Sequence, residues 1–296
     1  MAVYKRTYTQ YSGPVTNERW RFMILPRYAF RALFEVRLSG ALYLALVPHL
    51  IALILIYLRG HIDALLAVGL QGARGLQFIS VDGDFFLALF TVESVISFFL
   101  VAIMGPGLVA PDLANNALPL YLSRPFSRAE YVLGKLSVLL ILTSFITWIP
   151  GLLLFAVQTS IAGLSWSWDN LRIVAAILLS SWIWTLTISL LALALSAWVK
   201  WRPVAAAALF GIFFVANGFG VVSSAILETR WGTLLSLPLA IRMVQRWLFL
   251  NESRYQLPIP PFGTIPAWTG LLPLASVCAI ALLLLAWKVR PVQVVR

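Results

Sequence analysis

Charge is scarce in this sequence. Only 11% of the 296 residues are Asp, Glu, Lys or Arg, where a water-soluble domain carries about 25%. With 61% hydrophobic residues and a mean hydropathy of +0.90, the chain cannot cover itself with polar side chains, which excludes a soluble fold. Cysteine occurs once, at Cys278, so no intramolecular disulfide and no cysteine-based zinc site can form. The two histidines, His49 and His61, complete no metal cluster with neighbours in sequence. Hydrolase and metalloprotease signatures are missing as well. The only Gly-Lys pair, Gly134–Lys135, is followed by Leu136 and has Ala129 where a phosphate-cradling loop needs glycine. The chain is therefore expected to hold no ATP, cofactor or metal of its own and to carry no catalytic residue.

What is present is a series of long apolar runs. A membrane-crossing helix needs roughly 20 apolar residues, and six segments qualify: Ser39–Leu58, Phe85–Val109, Leu136–Gln158, Leu171–Val199, Val204–Leu227 and Trp268–Trp287. These readings predict an all-α polytopic membrane protein. It divides into a cytoplasmic segment 1–38, a six-helix membrane domain 39–287 and a basic tail 288–296. An even number of spans places both termini on one side.

The net charge of +11 suits the positive-inside rule better than nucleic-acid binding. With the N-terminus inside, cytoplasmic segments hold 15 of the 22 basic residues against four acids, Glu18, Glu35, Asp112 and Glu130. The first 38 residues, basic and without an apolar core, are expected to stay in the cytoplasm. Tryptophans 166, 168, 198, 201, 268 and 287 sit at the span ends, where interfacial aromatics belong.

Two stretches are neither spans nor plain loops. In Leu25–Leu38, apolar Tyr28, Leu33, Phe34 and Leu38 alternate with Arg27, Arg31, Glu35 and Arg37 at helical spacing, predicting a helix lying in the cytoplasmic interface. Leu234–Leu250 is marginal in length and carries Arg242 and Arg246 near its centre. Each would be costly in lipid, so a re-entrant or surface-lying outer helix is expected there rather than a seventh span.

The loop from Ala110 to Lys135 holds the most local information. Asp112 is placed to cap a short helix starting at Leu113. Ser127-Arg128-Ala129-Glu130 is a capping box that opens the third span. Between them Leu118, Leu120, Tyr121 and Leu122 are too apolar for a free loop, and Pro119 and Pro125 stop either helix from running through. A short helix with an apolar side in search of a partner results, its basic end formed by Arg124 and Arg128.

Residues 123–135, SRPFSRAEYVLGK, resemble the S-R-P-x-S-R-x-E-Y-x-x-G-K stretch of type-2 ABC exporter permeases, the membrane subunits whose ATPases are separate chains. The layout is similar too: an interfacial N-terminal helix, six spans, and outer re-entrant helices between the fifth and sixth. The family's glutamate- and glycine-rich run before this stretch is replaced here by Asn115, Asn116, Ala117 and Pro119. The resemblance implies that the loop carries a coupling helix docking on an ATPase, with Asp112, Leu118, Tyr121, Arg124, Arg128 and Glu130 as coupling residues. It further implies two ATPase subunits that bind ATP and Mg, a second permease chain as in a homodimer, and a bacterial or archaeal inner membrane. The expected cargo is a hydrophobic or amphipathic molecule moved outward.

Glu93 lies eight residues into the second span, deep in hydrocarbon, where a carboxylate faces a cavity or a partner. It reads either as a polar point on a substrate path or as a structural hydrogen-bonder to Thr91, Ser94, Ser97 or another helix. Asn217, Ser223 and Ser224 of the fifth span can receive it or pack a dimer face. Pro48–His49 reads as a kink without chemistry. Two other classes fit the composition: a membrane enzyme acting on lipid-linked substrates through Glu93, and an ion-coupled secondary transporter. The first needs reactive groups clustered at one depth, and the second symmetric broken helices; neither pattern is visible.

Overall fold

The computed structural model of the protein describes residues 18–35, 38–115, 117, 121, 127–258 and 263–289; the expected coupling residues Leu118 and Arg124 lie outside them. Six helices are long and apolar enough to cross a bilayer: Leu42–Gly60, Gly83–Ala114, Arg128–Ala162, Leu171–Trp198, Arg202–Ile226 and Ala267–Lys288. They coincide with the six apolar runs, and the protein is an all-α multi-pass membrane protein. The largest boundary shift is at the third span. It starts at Arg128, eight residues before the apolar run, because a helix begins where its amides are capped rather than where hydropathy rises.

Two spans are broken, each beside a proline. Gly105 separates Gly83–Met104 from Pro106–Ala114, and Pro106 opens the second piece. The break is bracketed from the fourth span. Ser196 Oγ accepts from the amides of Val109 at 3.1 Å and Ala110 at 3.0 Å and donates to the Pro106 carbonyl at 2.9 Å. In lipid such backbone groups have no water to turn to, so one serine replaces what the helix lost. The third span divides into Arg128–Ser144 and Trp148–Ala162. Pro150 sits in the first turn of the second piece, where a missing N–H costs least.

The fourth span is the hub, with the second, third and sixth spans packed on it. Trp184 Nε1 donates to Ser97 Oγ of the second span at 2.7 Å. The first and fifth spans instead carry exposed apolar faces, Tyr43, Leu50 and Ile54 on one and Val215, Phe219 and Ile226 on the other. Lipid tails are as apolar as such side chains, so this exposure is not penalised as it would be in water.

Two further helices sit at opposite ends of the bundle. Ile24–Glu35 packs against the start of the third span, and Leu237–Leu250 is tucked among the second, fourth and sixth spans. The latter has 14 residues, about 21 Å at helical rise, short of the ~30 Å hydrocarbon core. Ser236 caps it through the Leu239 amide at 3.3 Å, and Asn251 ends it in a left-handed turn. After it comes a feature that the apolar pattern did not announce: a small antiparallel hairpin, Arg254–Gln256 against Thr264–Pro266, with Tyr255 opposite Ile265.

Candidate functional site

At the end carrying the 110–135 loop, the chain is tied by one carboxylate. Asp112 does not cap a helix starting at Leu113. It lies inside Pro106–Ala114, close to that helix's end. The helix is already started by Gly105 and Pro106, and Asp112 Oδ2 is taken up across the gap by the third span. It accepts from the Tyr131 hydroxyl at 2.8 Å and pairs with Lys135 Nζ at 2.7 Å. Tyr131 and Lys135 are four apart on one helix, hence one above the other on a single face.

The same face collects the rest of the node. The Tyr121 ring lies 5.6 Å from that of Tyr131, so this one side chain packs on the start of the third span. Burial, and then the Asp112 carboxylate, push the Tyr121 phenol above its ordinary range. Gly134 is needed for a close approach: a Cβ there would stand 2.7 Å from Leu25 Cδ1 and 2.9 Å from the Phe22 carbonyl oxygen. The segment leading into Ile24–Glu35 is thereby seated on the third span. The capping box forms as read, with the Glu130 amide donating to Ser127 Oγ at 3.2 Å and the Ser127 amide to Glu130 Oε2 at 2.6 Å. Arg128 is exposed. Thus Asp112 and Tyr121 meet at Tyr131, Glu130 closes the cap of the same helix and Arg128 is exposed in its first turn, while Tyr131, Lys135 and Gly134 enter as partners to which the sequence reading had given no coupling role.

Glu93 is found elsewhere, 2% exposed, against the first span. Its Oε1 lies 2.7 Å from His49 Nε2, and His49 Nδ1 lies 3.2 Å from the Ala45 carbonyl. Both ring nitrogens face oxygens, so Nδ1–H donates to Ala45 and one proton is shared between Nε2 and the carboxyl. Whether that pair is imidazolium–carboxylate or imidazole–carboxylic acid, its net charge is zero, which is how ionisable groups are tolerated at this depth. The expectation that His49 has no chemistry is corrected here. The fifth-span groups serve other partners: Asn217 Oδ1 accepts from Ser236 Oγ at 2.6 Å, and Ser223 and Ser224 both donate to the Gly220 carbonyl.

The opposite face of the second span borders open space. A cavity of about 500 Å³ lies between the second span, the fifth span and Leu237–Leu250, walled by Phe98, Phe99, Trp184, Phe213 and Phe214. Below it a smaller pocket of about 190 Å³ is bounded by Phe99, Phe210 and Arg202. The two are parted by an aromatic cluster in which the Phe98 ring is 5.1 Å from Phe210 and 4.7 Å from Phe213. Glu93 lines neither pocket. Among the described residues no group of His, Cys, Asp and Glu is assembled that could hold a metal.

A family model described as ABC-2 family transporter protein matches residues 33–245, which takes in the first five spans, the Asp112 node and most of Leu237–Leu250. No curated protein matches the chain.

Proposed function

We propose, for a chain that belongs to the ABC-2 transporter family and is therefore the permease of an ABC transporter working with an ATPase subunit, that the 110–135 loop is the docking element and that the Asp112 node transmits its movement to the spans. The observation that carries this reading is the double grip of Asp112 on Tyr131 and Lys135. It joins the end of the second span to the start of the third, so a push on the loop moves both. Two permease copies form the path. Two ATPase subunits, which bind the ATP and Mg, sit under the loops, and their closure on ATP switches the path between inward- and outward-facing states. The cargo is an amphipathic molecule moved outward across a bacterial or archaeal inner membrane. No residue of this chain carries out covalent chemistry. Ile24–Glu35 lies in the cytoplasmic interface, its exposed Ile24 and Tyr28 in contact with lipid.

Two measurements test this reading. Arg124→Glu with Arg128→Glu should leave the protein inserted while weakening ATPase association about tenfold or more, since like charges would meet where attractive contacts stood. Unchanged co-purification would make these arginines membrane anchors only. A reporter fused after Arg296 should be active only in the cytoplasm, and activity on the outer side would reverse the orientation.

A further inference from the structure

The cavity between the second span, the fifth span and the outer helix has a sign. Its wall is aromatic and aliphatic, and its lining contains one charged residue, Arg242, and no acid. Arg242 and Arg246 are one turn apart on the same helix, yet their situations differ. Arg246 Nε donates to Glu252 Oε2 at 2.7 Å, and that hydrogen bond holds the Glu252 carboxyl below its ordinary range. Arg242 forms no ion pair among the described residues. Arg242 is exposed at the rim of the apolar chamber, so its guanidinium donors are open to an anion entering there.

Two amides extend the polar corner. Gln245 is 7% exposed, lines the cavity, and makes no hydrogen bond to the described residues. Its amide atoms are not sealed in protein either, so they open into the chamber. Asn217, also in the lining, spends its carbonyl oxygen on Ser236 and keeps its NH₂ donors. Arg242, Gln245 and Asn217 thus offer donors within one lining, and Phe98, Trp184 and Phe213 offer an apolar wall to it. The cleft repeats this chemistry at its other end, where Arg202, likewise without an ion pair among the described residues, borders the smaller pocket past the phenylalanine cluster.

We propose that this cavity binds an anionic amphiphile, with a phosphate- or carboxylate-type head at Arg242, Gln245 and Asn217 and a single apolar body against the aromatic wall. The inference rests on the permease reading and supplies its substrate class. A volume of about 500 Å³ lies in the ~300–1,000 Å³ range that takes one drug-sized molecule, enough for one apolar tail. The arginine supplies a forked donor matched to such heads. The apolar wall contributes affinity without orientation, so the donors alone set which end enters the corner.

The test uses the full-length protein in phosphatidylcholine nanodiscs, with radiolabelled dodecyl phosphate as the probe and empty nanodiscs subtracted. Binding should be saturable at one site. Arg242→Gln should weaken it about tenfold or more, as expected when a hydrogen bond to a charged group is lost. Arg242→Lys, which keeps the charge and loses the fork, should fall between wild type and Arg242→Gln, and Arg246→Gln should stay within about twofold because that charge is already paired with Glu252. Dodecyl trimethylammonium and inorganic phosphate should not compete. The proposal is overturned if the cationic amphiphile competes equally, if Arg246→Gln is as damaging as Arg242→Gln, or if phosphatidylglycerol nanodiscs abolish binding, which would make the occupant a bilayer lipid. An Arg242→Gln protein with the wild-type melting temperature and unchanged binding overturns it too. No ATPase is present in this assay, so a failure of ATPase docking leaves its result untouched, and the two readings fail separately.

Discussion

Replacing Glu93 with leucine should lower the melting temperature of the detergent-purified protein more than any other single exchange considered for this chain. The substitution leaves His49 in the core with Nε2 unpaired, and breaking a buried pair by removing one partner costs about 3–5 kcal/mol. Glu93→Gln should be far milder. With Nδ1–H held by the Ala45 carbonyl, a glutamine NH₂ donates to the free Nε2, and every polar atom keeps a partner. The double variant His49→Leu with Glu93→Leu should recover most of the lost stability, because well-packed apolar residues replace a buried pair at little or no net cost. Additive losses in the double variant would mean that the two side chains are not a unit. Transport in the glutamine variant decides the remaining question. Full transport there, beside a clear melting loss for leucine, leaves the pair as a clip between the first two spans and assigns Glu93 no part in the path.

That pair was within reach of sequence reasoning. His49 lies 11 residues after Leu38 in a helix ending at Gly60, and Glu93 lies 10 residues after Gly83 in a helix ending at Met104. Both are mid-helix, and consecutive spans run in opposite directions, so both stand at one depth. An intramembrane ionisable group needs a partner at its own level, and no other such group is offered by the first two spans. Looking along the second span for serines and threonines misses it, because those hydroxyls satisfy themselves on their own helix: Thr91 donates to the Leu87 carbonyl and Ser94 to that of Phe90.

Helix existence was legible and helix ends were less so. Hydropathy registers six apolar runs because lipid imposes one length. It cannot register Arg128–Tyr131 as helix, since the signal there is a hydrogen-bond pattern. Asp112 was misread for a related reason: a carboxylate ahead of a leucine is as good a cap locally as it is a long-range partner, and only the third span's return brings Lys135 within 2.7 Å. The cavity was invisible in principle. Its wall is assembled from the second, fourth and fifth spans and Leu237–Leu250, and nothing in a linear apolar pattern distinguishes a phenylalanine on an outward face from one lining a cleft. Arg242 and Arg246 were both legible as charges too costly for a span. Which of them is neutralised depends on Glu252, placed beside Arg246 only by the turn at Asn251.

Removing the Asp112 carboxylate tests how loop movement reaches the bundle. In Asp112→Ala the Tyr131 hydroxyl loses its acceptor and the Lys135 ammonium, little exposed, loses its counter-charge. The loss of stability should be about 1–3 kcal/mol, moderated because the pair is not wholly cut off from solvent. The functional effect should be larger. Arg128 and the capping box at Ser127 are untouched, so the ATPase should still associate, but the loop it holds is no longer fastened to both spans. Stimulation of ATP hydrolysis by substrate should therefore fall about tenfold, the size of one typical coupling free energy, with little change in the basal rate. Asp112→Asn separates the two bonds, because an asparagine oxygen still accepts from Tyr131 but no longer balances Lys135. If the charge contact is the fastening, Asn should behave like Ala. If the tyrosine bond suffices, Asn should behave like wild type, and Tyr131→Phe should then reproduce the alanine defect. Wild-type stimulation in both Asp112→Ala and Tyr131→Phe would show that force enters the bundle elsewhere, with the seat of the N-terminal segment on Gly134 as the next contact to break.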